Sequence, residues 1–303
     1  MSMGTAPPID LHHILTAWQT GPFPLGVAVV AVLVAGWYLR GVRHLAGRGR
    51  PWSKWRTASF MAGLACVEVA LGGSVATFSN YTFTAHVIQH LLLMILAPPL
   101  GALGAPMTLL LQTSQRPLKR WVLRVLHSRG FQVLSHPVPV FFFYYLSMYA
   151  FFLTGALGFA MAHMWVMDLI NLGFLAGATL FWWPMVGLDP TGGSSGGMNP
   201  GFKIINLLIG IPVESFLGIA LIEKSTPVAM IYSLATTHTG GGVLWAATEV
   251  ATLGAILPIY FQWTRADARA ARRIDARLDA GQPAQPAVEG VGMSATLKSL
   301  RRG

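Results

Sequence analysis

The sequence predicts an all-α, polytopic membrane helix bundle of seven transmembrane helices, with the N-terminus outside and the C-terminus cytoplasmic. Three observations predict it. Apolar residues make up 53% of the 303-residue chain and charged residues only 11%, where a soluble domain carries about 25% charge. The charges are segregated, which leaves uncharged stretches close to the roughly 20 residues that a helix needs to cross a bilayer. Finally, 20 of the 21 lysines and arginines fall on one side of the topology that those stretches define.

The first span runs from about Leu25 to slightly beyond Leu39, and Arg40, Arg43, Arg48, Arg50, Lys54 and Arg56 follow it. The second, 57–78, is interrupted only by Glu68. The third, 84–112, is too long: its 29 residues would reach about 44 Å as a helix, against a hydrocarbon core of about 30 Å. Pro98-Pro99, Gly101, Gly104 and Pro106 break its middle. Proline removes backbone donors, so the freed carbonyls must find partners, and the break is expected to face the bundle interior. Arg116, Lys119, Arg120, Arg124 and Arg129 come next.

The fourth span is 138–157, the fifth 163–188, the sixth 202–222 and the seventh 242–263. Lys203 precedes the sixth, and eight basic residues from Arg265 to Arg302 follow the seventh. Only Lys224 lies on the other side. The positive-inside rule therefore puts the basic loops and the C-terminal tail in the cytoplasm. An odd number of spans requires the same arrangement of the termini.

No interior linker is long enough to separate folded units. Residues 25–263 form one bundle between an extracytoplasmic segment, 1–24, and a basic cytoplasmic tail, 264–303, that is partly disordered. Residues 1–24 hold no lysine or arginine, so a cleaved signal peptide is not expected. Within the tail, Arg265–Leu278 reads as a basic helix lying on anionic headgroups, and 281–290 as a linker. The net charge of +10 follows from the loops and tail rather than from a nucleic-acid surface. The lone Cys66 excludes an internal disulfide and a Cys-x-x-Cys metal site. The glycine-rich run 189–201 lacks the Gly-Lys-Ser/Thr of a phosphate loop and reads as a flexible connection.

The chemistry concentrates at the opposite end from the basic loops. His86 and His90 are four residues apart and Met94 extends the same stripe, which stacks two imidazoles and a thioether on one helix face. His163, Met164, Met167 and Asp168 begin the fifth span. His238 precedes the seventh. Imidazole with thioether suits Cu(I); imidazoles alone also suit Cu(II) or zinc, and Asp168 keeps zinc open. The competing reading is plain: histidines near an interface bond loops or water, and methionines fill cores. Deeper in the spans lie Glu68, Glu214 and Glu249, with no intramembrane cation to pair with them. They form either a polar track for protons or a cation, or a set of interhelical hydrogen bonds.

Several motifs then resemble one family. They are His86-x3-His90-Leu-Leu-Leu-Met94, Ala97-Pro98-Pro99-Leu100 and Leu103-Gly104-Ala105-Pro106. With them stand His136-Pro137, Phe181-Trp182-Trp183-Pro184 and Gly240-Gly241-Gly242-Val243-Leu244-Trp245 with Glu249. Trp18 and Arg56-x3-Phe60-x-x-Gly63 extend the match toward the N-terminus. This combination, over about residues 10–264, is similar to the CtaG-type cytochrome c oxidase assembly factors. Val87 and Thr237-His238 depart from the family's usual residues.

The resemblance implies a seven-span protein of a bacterial plasma membrane. It implies a metallochaperone rather than an enzyme, one that helps copper reach the catalytic subunit of a haem-copper oxidase. His86, His90 and His163 are the metal-handling residues it implies, with a periplasmic copper donor as a second partner and membrane lipids around the spans. Two other classes compete. A transporter would move copper or protons along Glu68, Glu214 and Glu249. An integral haem protein would use histidines as axial ligands, although a pair on one helix at one level would serve two haems or none. An intramembrane zinc hydrolase lacks a His-Glu-x-x-His signature.

Overall fold

A computed structural model describes residues 11–189 and 198–279. All its regular elements are helices. A short α1 (Leu11–Thr16) precedes α2 (Pro22–Gly47), α3 (Lys54–Leu71) and α4 (Ser74–Phe78). Next come α5 (Phe83–Leu91), a π-helical turn (Leu92–Leu96), α6 (Ala97–Leu103) and α7 (Pro106–Thr113). After α8 (Arg116–Leu126) and α9 (Arg129–Leu134) come α10 (Pro137–Leu153) and α11 (Ala156–Ala162). The series closes with α12 (Met164–Val186), α13 (Pro200–Ile222) and α14 (Leu234–Asp279). The chain divides into two compact units, Met1–Leu257 and Pro258–Gly303. Every residue discussed below as part of a site belongs to the first. The second contains the end of α14, so the expected basic segment 265–278 is helical. The glycine-rich residues 190–197 and the linker 281–290 lie outside the described residues.

Among the described residues, six spans are long and apolar enough to cross a membrane, and a seventh if one bent pair counts as a single span. Val32, Leu33, Phe142, Phe216, Val250 and Leu257 are among many large apolar side chains that face outward. Patches of that extent are rare on soluble monomers.

The bent pair corrects the fourth span. Instead of one helix over 138–157, α10 stops at Leu153 and α11 leaves at 75°. Thr154 takes an extended conformation there, and its hydroxyl bonds back to Ala150 O and accepts from Ala156 N–H. The seventh span also differs. Its helix begins at Leu234, not Gly242, which puts His238 inside α14 instead of in the preceding connection.

The third span keeps its length by deforming. The first irregularity is the π turn at Leu92–Leu96, where Ala97 N–H reaches Leu92 O. It precedes the proline pair. The true break is at Gly104-Ala105, where Ala105 has φ 49°, a left-handed conformation rare for alanine. Pro106 restricts the residue before it and starts α7.

Three carbonyls around the break find partners on other helices. Pro98 cannot donate to Met94 O, and the Trp182 indole N–H does so at 2.9 Å. Ser59 Oγ donates to Leu100 O at 2.9 Å, and Tyr38 OH donates to Gly104 O at 2.8 Å. Inside a bilayer such partners are obligatory, because no water replaces them.

Close packing explains the Phe60-x-x-Gly63 motif. A Cβ on Gly63 would stand 2.9 Å from Gly101 N and 3.0 Å from Ala97 O, both backbone atoms that cannot swing away. Small residues let α3 and α6 approach at this distance. Gly63→Leu is therefore expected to cost about 3 kcal/mol or more through overpacking. Loss of monodisperse protein in detergent would register it; a wild-type elution profile and thermal midpoint would contradict it.

Asp189, at the start of the glycine-rich run, is not a flexible connection: it is 7% exposed. Its carboxylate accepts from Met107 N–H at 3.0 Å and from Thr108 N–H at 2.7 Å, and it also bonds the Thr108 hydroxyl. It thereby caps α7 from 81 residues away. Burial pushes its carboxyl above the usual range, while the Thr108 and Met107 hydrogen bonds and the Arg56 charge pull it down less strongly. A raised acid contributes stability that is full below the unfolded value of about 4 and is lost as pH rises through the folded value. Asp189→Ala is expected to cost about 1–3 kcal/mol by stranding two N–H groups. Asp189→Asn keeps one acceptor, should cost less, and should flatten stability across that acidic window; thermal melts against pH measure both.

Candidate metal centre

Helix α5 aims the histidine pair inward. The Thr82 hydroxyl caps its first turn by accepting from Ala85 N–H at 3.3 Å. Gln89, on the same helix, donates to Ala70 O at 2.7 Å and locks its rotation. His86 is 2% exposed and His90 0%. Their Nε2 atoms are 2.9 Å apart, a hydrogen bond between two rings on one helix face. Phe83, Phe151, Phe152 and Tyr232 surround His86, and Phe174 closes on His90 with ring centroids 5.0 Å apart.

Two imidazoles in such a cage are neutral, because a buried unpaired charge is expensive. One ring donates and the other accepts. His90 Nδ1 has no partner. The arrangement costs least when His90 donates from Nε2, since its Nδ1 is then a bare lone pair and not a stranded N–H.

The pair stands between two cavities. The first, of about 40 Å³, is lined by His86, Met161, Met164, Met167, Asp168 and Asn171, among others. The second, of about 30 Å³, is lined by His90, Met94, Met148 and Glu214, with Tyr144, Tyr145 and Tyr149. Either volume holds a water or an ion. The His86–His90 hydrogen bond is the polar link from one to the other.

Not every expected residue joins the pair. Met167 and Asp168 share the His86 cavity. His163 is exposed between α11 and α12, and its Nδ1 bonds Phe159 O at 3.0 Å. His238 Nε2 bonds Lys224 O at 2.9 Å, which ties α14 to the end of α13. Among the described residues no three His, Cys, Asp or Glu side chains converge as a metal site.

The glutamates also separate. Glu214 lines the His90 cavity, hydrogen-bonds Thr252 and neighbours Glu249. Its Oε2 is buried without a partner. Glu249 accepts from Ser215 Oγ at 2.7 Å and from the Trp245 indole, which is the interhelical bonding alternative. Glu68 lines neither cavity. Sequence reasoning missed Met161, Met148 and the tyrosines. Only the i,i+4 spacing of Tyr144, Tyr145 and Met148, Tyr149 along α10 hinted at them.

Fold and site together define a multi-pass helical membrane protein with a buried histidine pair set between two small cavities inside the bundle. Residues 36–266 match the family described as cytochrome c oxidase caa3 assembly factor, and the chain belongs to that family. Uncharacterized proteins of Mycobacterium bovis and Mycobacterium tuberculosis are each 29% identical over 290 residues, 90% of this chain and 43% of theirs. One from Mycobacterium leprae is 26% identical over 291 residues, again 90% of this chain and 43% of its own. The chain therefore spans less than half the length of the curated relatives it matches. No solved structure matches it.

Proposed function

We propose that this protein takes part in cytochrome c oxidase assembly by holding Cu(I) at His86 and His90 and passing it to the oxidase catalytic subunit. The observation that carries the reading is the buried histidine pair with methionines on both sides. Zinc sites usually take four nitrogen, sulfur or carboxylate ligands. Two imidazoles with thioethers nearby favour Cu(I) instead.

Binding replaces the ring–ring hydrogen bond. The rings must open from 2.9 Å, and the bridging proton must move to an Nδ1 atom. A site with two firm ligands and weak thioethers releases its metal readily by ligand exchange, as a donor must. By the positive-inside argument the pair lies toward the outer face, where copper arrives from a periplasmic donor.

The test is the host's oxidase. A strain carrying His86→Gln and His90→Gln is expected to make normal amounts of this protein but an oxidase with little copper. Full copper content in that strain would sink the proposal. A transport reading draws on the unpartnered Oε2 of Glu214, which lines the cavity beside His90. It predicts copper flux into vesicles that Glu214→Gln abolishes, and a flux unchanged by that substitution would count against it.

A further inference from the structure

We propose that an open cleft lined by Met161, Met164, Met167 and Met230 is the entry site for Cu(I), which it hands to His86. The proposal rests on the reading of the histidine pair as a copper station. The cleft encloses about 620 Å³ between α11, the start of α12 and the 229–231 connection. Asn80, Met161, Met164 and Met167 line both this cleft and the smaller cavity that reaches His86. The same side chains thus form the inner wall of one space and the outer wall of the next.

Exposure separates two of these methionines from core filler. Met230 is 103% exposed and Met164 60%. A thioether so open to its surroundings packs against little, so packing does not account for it. The other residues that line the cleft are Asn80, Tyr81, Gly158, Ala162, Ala229 and Ile231. None is a carboxylate or an imidazole, so the cleft offers no anionic or imidazole ligand to zinc, calcium or magnesium. Neutral thioethers select a soft monovalent ion.

The helix break creates the geometry. Met161 lies in the last turn of α11 while Met164 and Met167 are one turn apart at the start of α12. Transfer is ligand exchange without redox change: a sulfur–copper bond breaks as a nitrogen–copper bond to His86 forms, and the metal stays Cu(I).

The experiment uses the full chain, purified in detergent, with Cu(I) delivered anaerobically from a chelator and Ag(I) as a spectroscopically silent probe of soft sites. The variant Met161→Leu/Met164→Leu/Met167→Leu/Met230→Leu conserves volume. It is expected to bind one fewer Ag(I) and to load Cu(I) about tenfold more slowly. Met230→Leu alone, at a position that packs against little, should slow loading several-fold without affecting folding. Wild-type loading rates and Ag(I) counts in both variants would overturn the cleft. His86→Gln/His90→Gln should keep the cleft Ag(I) and lose the equilibrium copper. If that variant keeps its copper, the histidine station fails, and the cleft is then judged by the leucine variants alone.

Discussion

Replacing His86 and His90 together by glutamine is expected to weaken Cu(I) binding by about 10⁴-fold. Structural metal sites yield about 10–16 kcal/mol shared among four ligands, or roughly 3 kcal/mol per ligand. Each imidazole is then worth on the order of 100-fold in affinity. Glutamine is chosen because two amides can hydrogen-bond each other where the rings did, which limits the cavity and the stranded polar atoms that alanine would leave at these two buried positions. Competition titration against a Cu(I) chelator measures the change. An affinity within tenfold of wild type would remove the pair from the metal site. The same titration separates the other histidines. His163→Gln and His238→Gln should each change affinity less than threefold, because their rings bond Phe159 O and Lys224 O.

The second large effect is expected at Trp182. Its indole satisfies Met94 O, the carbonyl that Pro98 leaves free. Tyr144 OH approaches the same oxygen at 3.5 Å. Trp182→Phe removes the better donor, and an unsatisfied carbonyl inside the bundle costs about 1–3 kcal/mol. The thermal midpoint should fall by about 3–10 °C. Copper affinity should fall with it, since the π turn that Met94 belongs to follows His90 directly. Tyr144→Phe alone should cost little. The double variant should cost more than the sum of the two, because the donors back each other up on one acceptor. Strict additivity would show that Met94 O does not depend on them.

Much of the architecture was legible because its causes are local. Apolar run length gave the spans, and i,i+4 spacing set His86 above His90 on one face. The prolines announced that the third span could not be regular. The errors arose where a distant residue or a short-range bond decided the outcome. A threonine hydroxyl turned the chain at 154–156, inside a run that hydropathy reads as continuous. His238 is helical because α14 starts eight residues before its apolar stretch, among Thr236, Thr237 and Thr239, whose hydroxyls bond backbone carbonyls one turn back. Asp189 went unnoticed because an acidic residue beside a glycine-rich run looks like loop. The signal was at the other end: Pro106-Met107-Thr108 begins a helix with no capping side chain of its own.

The site shows the same division. By itself the sequence determined which side chains are chemically able to bind a soft metal, and which two of them must touch, since four residues along a helix return to the same face. It also placed Met167 and Asp168 near the start of a span. Only the tertiary structure decided which way each of those helices faces. It turned Met161, Met167 and Asp168 toward His86, set Met148 and Glu214 beside His90, and left His163 and His238 bonded elsewhere. The physical reason is that depth in a membrane is written in hydropathy along one chain, whereas rotation about a helix axis is fixed by packing and hydrogen bonds between chain segments far apart in sequence.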